Sequence, residues 1–195
     1  MMSKDRRSIT AAAGALALAG TVGLSGCGLV GLDRANNAEL SEVTVTSPVF
    51  RDEADLPTRY GCTTYSGGTG KTPPLRWSGT PGTRSYAIVM DDPDAEEGAY
   101  VHWVIGGIDG TTQLLGEDAQ LDKTVEGLNT SEKVGYSPPC PPKGERRRYR
   151  FTIYALDTEV PFRSGASLQD SLGAIAKHTV GRGRISGWFG TKKSS

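Results

Sequence analysis

Glycine and proline cut this sequence into short pieces: 26 glycines and 11 prolines are spread along 195 residues. Proline lacks an N–H and fixes φ, and glycine weakens a helix interior, so a chain punctuated this often does not build a helical bundle. The runs between the breaks are rich in β-branched and aromatic residues, which favours short strands joined by turns. Such runs are Val43 to Thr46, Ser85 to Met90, Val101 to Ile108, Tyr149 to Leu156 and a closing run, Arg184 to Phe189. In the fourth, Tyr149, Phe151, Ile153 and Ala155 alternate onto one face. One helix is predicted over Ser167 to Lys177, with Ser167 as N-cap and Asp170 completing a Ser-x-x-Asp variant of the capping box. The length suits a single domain.

Residues Met1 to Thr10 carry Lys4, Arg6 and Arg7 and precede an uncharged run, Ala11 to Leu24, too short to cross a bilayer. Residues 1–26 therefore read as a secretory signal. It ends in Leu24-Ser25-Gly26-Cys27, which resembles a bacterial lipobox, where the cysteine thiol takes a diacylglyceryl group and becomes the new N-terminus. Cys27 is the expected lipidation site, and the expected location is the extracytoplasmic face of the cell membrane. Arg6-Arg7 leaves both twin-arginine and Sec export open. The chain has 22 basic and 22 acidic residues, and removal of three bases and one acid with the leader leaves a net of −2. Balanced charge lacks the footprint that nucleic-acid binding needs, so no nucleic-acid partner is expected. Membrane attachment is expected to rest on the lipid, through a flexible tether over 27–42 that leads into a domain over 43–195.

Cys62 and Cys140 remain after processing, and an exported setting is oxidising. They are candidates for one disulfide, the alternative being two separate buried thiols. A bridge across so long a loop contributes about 4 kcal/mol in the chain-entropy treatment. Ser66 to Thr72 resembles the end of a phosphate-binding loop, but Tyr65 stands where glycine is needed and Pro73-Pro74 where a helix should begin, so it reads as a plain loop. Gly181-Arg182-Gly183 reads as a turn, and Arg146, Arg147, Arg148 and Arg150 as a mainly solvated charge run. His178 reads as a cation at a helix C-terminus. Two histidines leave no histidine-rich zinc site, and no metal or cofactor is expected.

The polar residues of interest fall in separated blocks. Met90-Asp91-Asp92-Pro93-Asp94-Ala95 follows an apolar strand, Val101-His102-Trp103 opens the next, and Gly135-Tyr136-Ser137-Pro138-Pro139-Cys140-Pro141-Pro142 leads into Arg147-Arg148-Tyr149-Arg150-Phe151. With Thr72-Pro73-Pro74-Leu75-Arg76-Trp77 before them, these blocks resemble the phosphatidylethanolamine-binding protein family, most closely its bacterial Raf-kinase-inhibitor-like branch, from about Val43 to Phe189. The resemblance implies a mostly β fold of two packed, mainly antiparallel sheets with peripheral helices. It also implies a surface cavity for small anionic groups such as a phospholipid head. By motif position Asp92 and His102 look like the paired cavity residues, Asp94 the second carboxylate, Tyr136 and Tyr149 the lining aromatics, and Pro138 to Pro141 one rim. Arg147 stands where the family usually has a histidine.

A carboxylate beside a histidine favours the imidazolium, which next to tyrosine hydroxyls offers several donors to one oxyanion. Anion binding is therefore expected to weaken as pH rises through the His102 titration. The plainer alternative is that Asp92 and Asp94 form an Asx turn and His102 is an ordinary strand residue. The expected role is a non-enzymatic, lipid-anchored binding protein of the cell envelope. An inhibitor or regulator of a kinase or protease, acting on an unidentified protein partner, is the second reading. A hydrolase ranks last, since no nucleophile stands beside Asp92 and His102 in the sequence.

Overall fold

The computed structural model describes residues 40–191 apart from Glu97; the predicted leader, Cys27 and most of the predicted tether lie outside them. In chain order the elements are β1 (Ser41–Glu42), β2 (Val45–Thr46), β3 (Ala54–Asp55), a 3-10 turn (Thr58–Tyr60), β4 (Leu75–Trp77), β5 (Ser85–Asp92), β6 (Tyr100–Asp109), β7 (Leu114–Leu115), β8 (Val125–Glu126), β9 (Arg146–Leu156), α1 (Leu168–His178) and β10 (Thr179–Gly190). The large sheet runs β1-β10-β9-β5-β6-β8, with β3 also on β10, and the small sheet runs β2-β4-β7. Pairing is antiparallel except where β1 and β3 lie parallel to β10.

The core lies between the sheets. Ile88, Met90, Phe151, Ile153 and Ile185 of the large sheet pack with Leu75, Trp77 and Leu115 of the small one. Each such side chain contributes about 1.5–3 kcal/mol when fully buried. On the other face Ala87, Val89, Val104 and Leu156 pack with Ile175 of α1. The middle of β5 is thus buried on both sides, which is why Ser85 to Met90 reads as a continuous apolar run instead of an alternating one. The cap of α1 forms as the sequence implies: Ser167 Oγ accepts the Asp170 N–H at 3.1 Å and donates to Asp170 Oδ2 at 2.7 Å.

Several expectations change. Of the predicted strand over Val43 to Thr46 only Val45–Thr46 (β2) is a strand, in the small sheet; Ser41–Glu42 just before it forms β1 in the large sheet, and between the two Val43 turns inward, 2 % exposed. Because β1 already pairs with β10, the folded domain reaches back into what reads as tether. Gly181-Arg182-Gly183 is not a turn but part of β10, which is twelve residues long and follows α1 directly. These glycines are needed there for space: a Cβ on Gly183 would lie 1.6 Å from the Val43 carbonyl oxygen. The arginine run is not a solvated face either. Arg146 bonds Asp55 and stacks over Trp188, Arg148 approaches Glu53, and Arg150 makes a bidentate pair with Asp91.

Gly183→Ala should push the Val43 segment off β10 and lower stability by about 1–3 kcal/mol, the range for forced overpacking. Gly173 on the exposed side of α1 has open space around its Cβ position. Gly173→Ala should instead stabilise by about 0.5–1 kcal/mol. Urea midpoints for the two variants, moving in opposite directions from wild type, check both.

Candidate functional site

The polar residues of interest gather where β5, β6 and β9 meet at one end of the large sheet. Strand alternation sends neighbouring carboxylates of β5 to opposite faces. Asp91 pairs with Arg150 on one face, while Asp92 turns to the inter-sheet face and is 2 % exposed. Asp92 Oδ1 accepts the Asp94 N–H at 2.9 Å, closing an Asx turn around Pro93. The Asx turn is thus present at Asp92, and it leaves the residue lining the cavity described below.

His102 owes its placement to a β-bulge. Met90 pairs with Trp103 and Asp91 with Val101, so His102 is an extra residue in β6 with no partner on β5. A bulge re-aims the side chain at that position. The imidazole consequently joins Tyr100 and Tyr149 on the inter-sheet face, with ring centroids 4.6 and 5.2 Å away. Its Nδ1–H donates to the Ser137 carbonyl at 2.9 Å, and the Ser137 N–H donates back to the His102 carbonyl at 3.1 Å.

That reciprocal pair fixes one side of the Pro138 to Pro142 loop, and a separate segment fixes the other. The Cys62 N–H donates to the Pro139 carbonyl at 2.9 Å, Tyr65 Oη donates to the Pro141 carbonyl at 2.8 Å, and Cys62 and Cys140 form a disulfide with Cα atoms 5.3 Å apart. The resulting cavity holds about 230 Å³. Asp92, His102, Arg147 and Tyr149 provide its polar wall; Pro138, Cys140 and Pro141 form the rim.

Arg147 enters already clasped. Its Nε and Nη2 donate to Glu145 Oε2 at 2.9 and 2.7 Å, and Nη1 stands 3.5 Å from Asp92 Oδ2. Glu96, exposed, is 3.8 Å away. Two predicted residues do not line this cavity. Asp94 braces the turn against β9, its Oδ2 accepting the Arg148 N–H at 3.2 Å. Tyr136 lines a neighbouring cavity of about 350 Å³ and packs edge-on against Trp103 at 5.6 Å. Its hydroxyl is buried with no partner among the described residues. Tyr100, Ala95 and Ser137 line the cavity without having been singled out from sequence. Alternation from His102 would have found Tyr100, because i and i+2 share a face of a strand.

The electrostatics overturn the expected imidazolium. Burial pushes the His102 pKa down to about 4 and the Arg147 charge adds to the effect, outweighing the Ser137 carbonyl and Asp91. His102 is therefore neutral near pH 7, with its proton on Nδ1 committed to Ser137 and Nε2 left as an acceptor. Asp92 does not hold a charge on His102; its own charge faces Arg147. Burial raises the Asp92 pKa, against the lowering effects of the Asp94 N–H and Arg147. Burial also raises that of Tyr149, whose hydroxyl stays protonated and able to donate.

Two packed sheets of unequal size define a β-sandwich with a small polar cavity at one end of the larger sheet. The chain belongs to the phosphatidylethanolamine-binding protein family, whose model matches residues 46–190. It is 39 % identical over 146 residues to the UPF0098 protein of Methanothermobacter thermautotrophicus, covering 72 % of this chain and 93 % of the relative. It is 34 % identical over 214 residues to a Mycobacterium tuberculosis protein described as lipoprotein LppC, covering 97 % of this chain and 99 % of the relative. The Escherichia coli YbcL structure, described as a member of the mammalian family, superposes with a TM-score of 0.70 at 29 % identity, covering 78 % of this chain and 100 % of YbcL. The Chlamydia trachomatis homologue CT736 superposes with a TM-score of 0.69 at 31 % identity, covering 79 % and 99 %.

The buried imidazole makes acid stability a readout of the site. With the His102 pKa lowered from 6.5 to about 4, the unfolded chain takes up this proton first, so stability falls as pH falls through that window. The loss attributable to His102 is about 3 kcal/mol by pH 4. His102→Gln, which has no titrating group, should flatten the acid side of the stability curve by about 2–3 kcal/mol. Denaturant titrations of both proteins across the window measure it, and Asp92, with its raised pKa, acts in the opposite sense in each.

Proposed function

We propose that this is a lipid-anchored, non-catalytic binding protein of the cell envelope, attached through Cys27 on the extracytoplasmic face, whose cavity takes a small phospholipid-head-group-like ligand. The observation that carries the reading is the convergence of Asp92, His102, Arg147 and Tyr149 on one cavity of about 230 Å³. Arg147 and the Tyr149 hydroxyl are donors suited to an oxyanion, while Asp92 and neutral His102 are acceptors suited to an ammonium or hydroxyl. A bare multiply charged anion is poorly matched, because Asp92 and Glu145 already surround the guanidinium. A zwitterionic phosphodiester, with negative and positive ends close together, suits both halves of the wall. The anchor reading draws on the lipobox-like Leu24 to Cys27 and on the LppC relative. The non-catalytic reading draws on Cys140, the one sulfur on the rim, being held in a disulfide and so unable to act as a nucleophile.

Calorimetric titration with glycerophosphoethanolamine tests the cavity. Its affinity should be the same at about pH 6 and pH 8, since His102 does not titrate there. Arg147→Lys should weaken binding about tenfold by replacing the planar fork with a single ammonium. His102→Ala should cost about 1 kcal/mol, the size of one neutral hydrogen bond. Equal affinity for both variants and the wild type, all shown to be folded, would sink the cavity reading. For the anchor, Cys27→Ala should move the protein from the membrane fraction to the soluble one.

A further inference from the structure

We propose that the groove between the Glu42 to Val45 segment and β10 seats anionic phospholipid head groups of the bilayer, so that the anchored domain is held in one orientation. The inference rests on the lipid-anchor reading for its geometry, but not on the cavity at the other site. The groove holds about 500 Å³ and is lined by Arg182, Arg184, Thr152 and Glu42. Arg182 and Arg184 are two apart in β10, so they point to the same face, and both are exposed.

What sets this pair apart is that its charge is not consumed. On the same sheet face Arg150 pairs with Asp91, and Arg146 with Asp55. Neither Arg182 nor Arg184 has an ion pair among the described residues; Arg184 donates its Nε to Thr152 Oγ1 at 3.2 Å, which orients the guanidinium and leaves its terminal nitrogens for another acceptor. Glu42 is the register partner of Arg182 yet forms no ion pair with it. Two guanidiniums over a groove, each with donors to spare, match phosphate oxygens better than water-filled surface.

The chain's connectivity says what that phosphate belongs to. The described structure starts at Leu40, which is 42 % exposed and apolar, and β1 follows at once along β10, Ser41 opposite Gly181 and Glu42 opposite Arg182. The 12 residues between Cys27 and Leu40 let the two lie at most about 45 Å apart. The tether thus joins the folded domain at the edge that bears Arg182. An acyl chain plus a basic patch is a two-signal arrangement, in which the lipid supplies attachment and the patch supplies orientation. This holds although the mature chain is slightly acidic overall, because folding gathers uncompensated positive charge at the anchored edge.

The test uses the mature chain with Cys27→Ala, which keeps the whole domain and removes only the anchor; solved relatives consist of this domain alone. It is sedimented with phosphatidylcholine vesicles with or without phosphatidylglycerol. Partitioning should be higher on the anionic vesicles, weaken with added salt, and fall at least about tenfold in Arg182→Glu/Arg184→Glu. Arg76→Glu/Lys133→Glu, which reverses exposed charges elsewhere, should partition like the unreversed chain. Equal partitioning by the two double variants overturns the proposal. So does loss of binding to dilute inorganic phosphate at constant ionic strength, which would make the groove a site for a soluble anion. Because the assay lacks the anchor, it can fail while Cys27 lipidation stands, and the fractionation of Cys27→Ala can fail while it succeeds.

Discussion

Burial of the inner face of β9 is the constraint from which the rest follows. Tyr149, Phe151, Ile153 and Ala155 are each at most 1 % exposed, and they can be so only if β5 and β10 flank the strand and the small sheet closes over it. That arrangement fixes which side of β9 faces inward all along its length. Arg147, on the same alternation as Tyr149, is carried to the open end of the inter-sheet space, where no small-sheet strand covers it. The polar cavity is the place where this apolar layer runs out.

The site then depends on two departures from regular pairing. One is the bulge in β6, without which His102 would point to the face opposite the adjoining Trp103, which packs in the inter-sheet core. The other is the proline loop, which has no ladder of its own and is held by side chains, backbone bonds to His102 and Cys62, and the Cys62–Cys140 bond. Together they place a neutral imidazole and a compensated guanidinium side by side. The result is a wall of balanced donors and acceptors, and not a concentrated positive charge.

What was legible in the sequence tracks what local patterns encode. The long strands showed through β-branched and aromatic residues, and α1 through its Ser167 and Asp170 cap. Apart from β2, which lies within the run predicted over Val43 to Thr46, the two-residue strands were not legible, since a pair such as Ala54–Asp55 carries no alternation and exists only because β10 offers it an edge. The sequence blocks pointed to Asp92, His102, Arg147 and Tyr149 as site residues, and the structure brings these together. Tyr136 and Asp94 do not line the polar cavity, because motif position does not reveal that Tyr136 faces the neighbouring cavity or that Asp94 braces the turn against β9. The charge state of His102 was misjudged for a related reason: proximity to a carboxylate is visible in a motif, whereas desolvation is a property of the packed molecule.

The outer edge of β10 also bears on how such domains tolerate one another. A twelve-residue strand left bare at a sheet edge would offer a row of unsatisfied amides and carbonyls to any neighbouring copy. Here β1 occupies the stretch at Gly181 and Arg182, and β3 the stretch at Gly187 and Trp188, each for only two residues, with exposed Arg184 between them. Two short patches and a charge replace a continuous template for strand addition. Resistance to edge-to-edge aggregation is thereby obtained from chain segments that contribute little to the core.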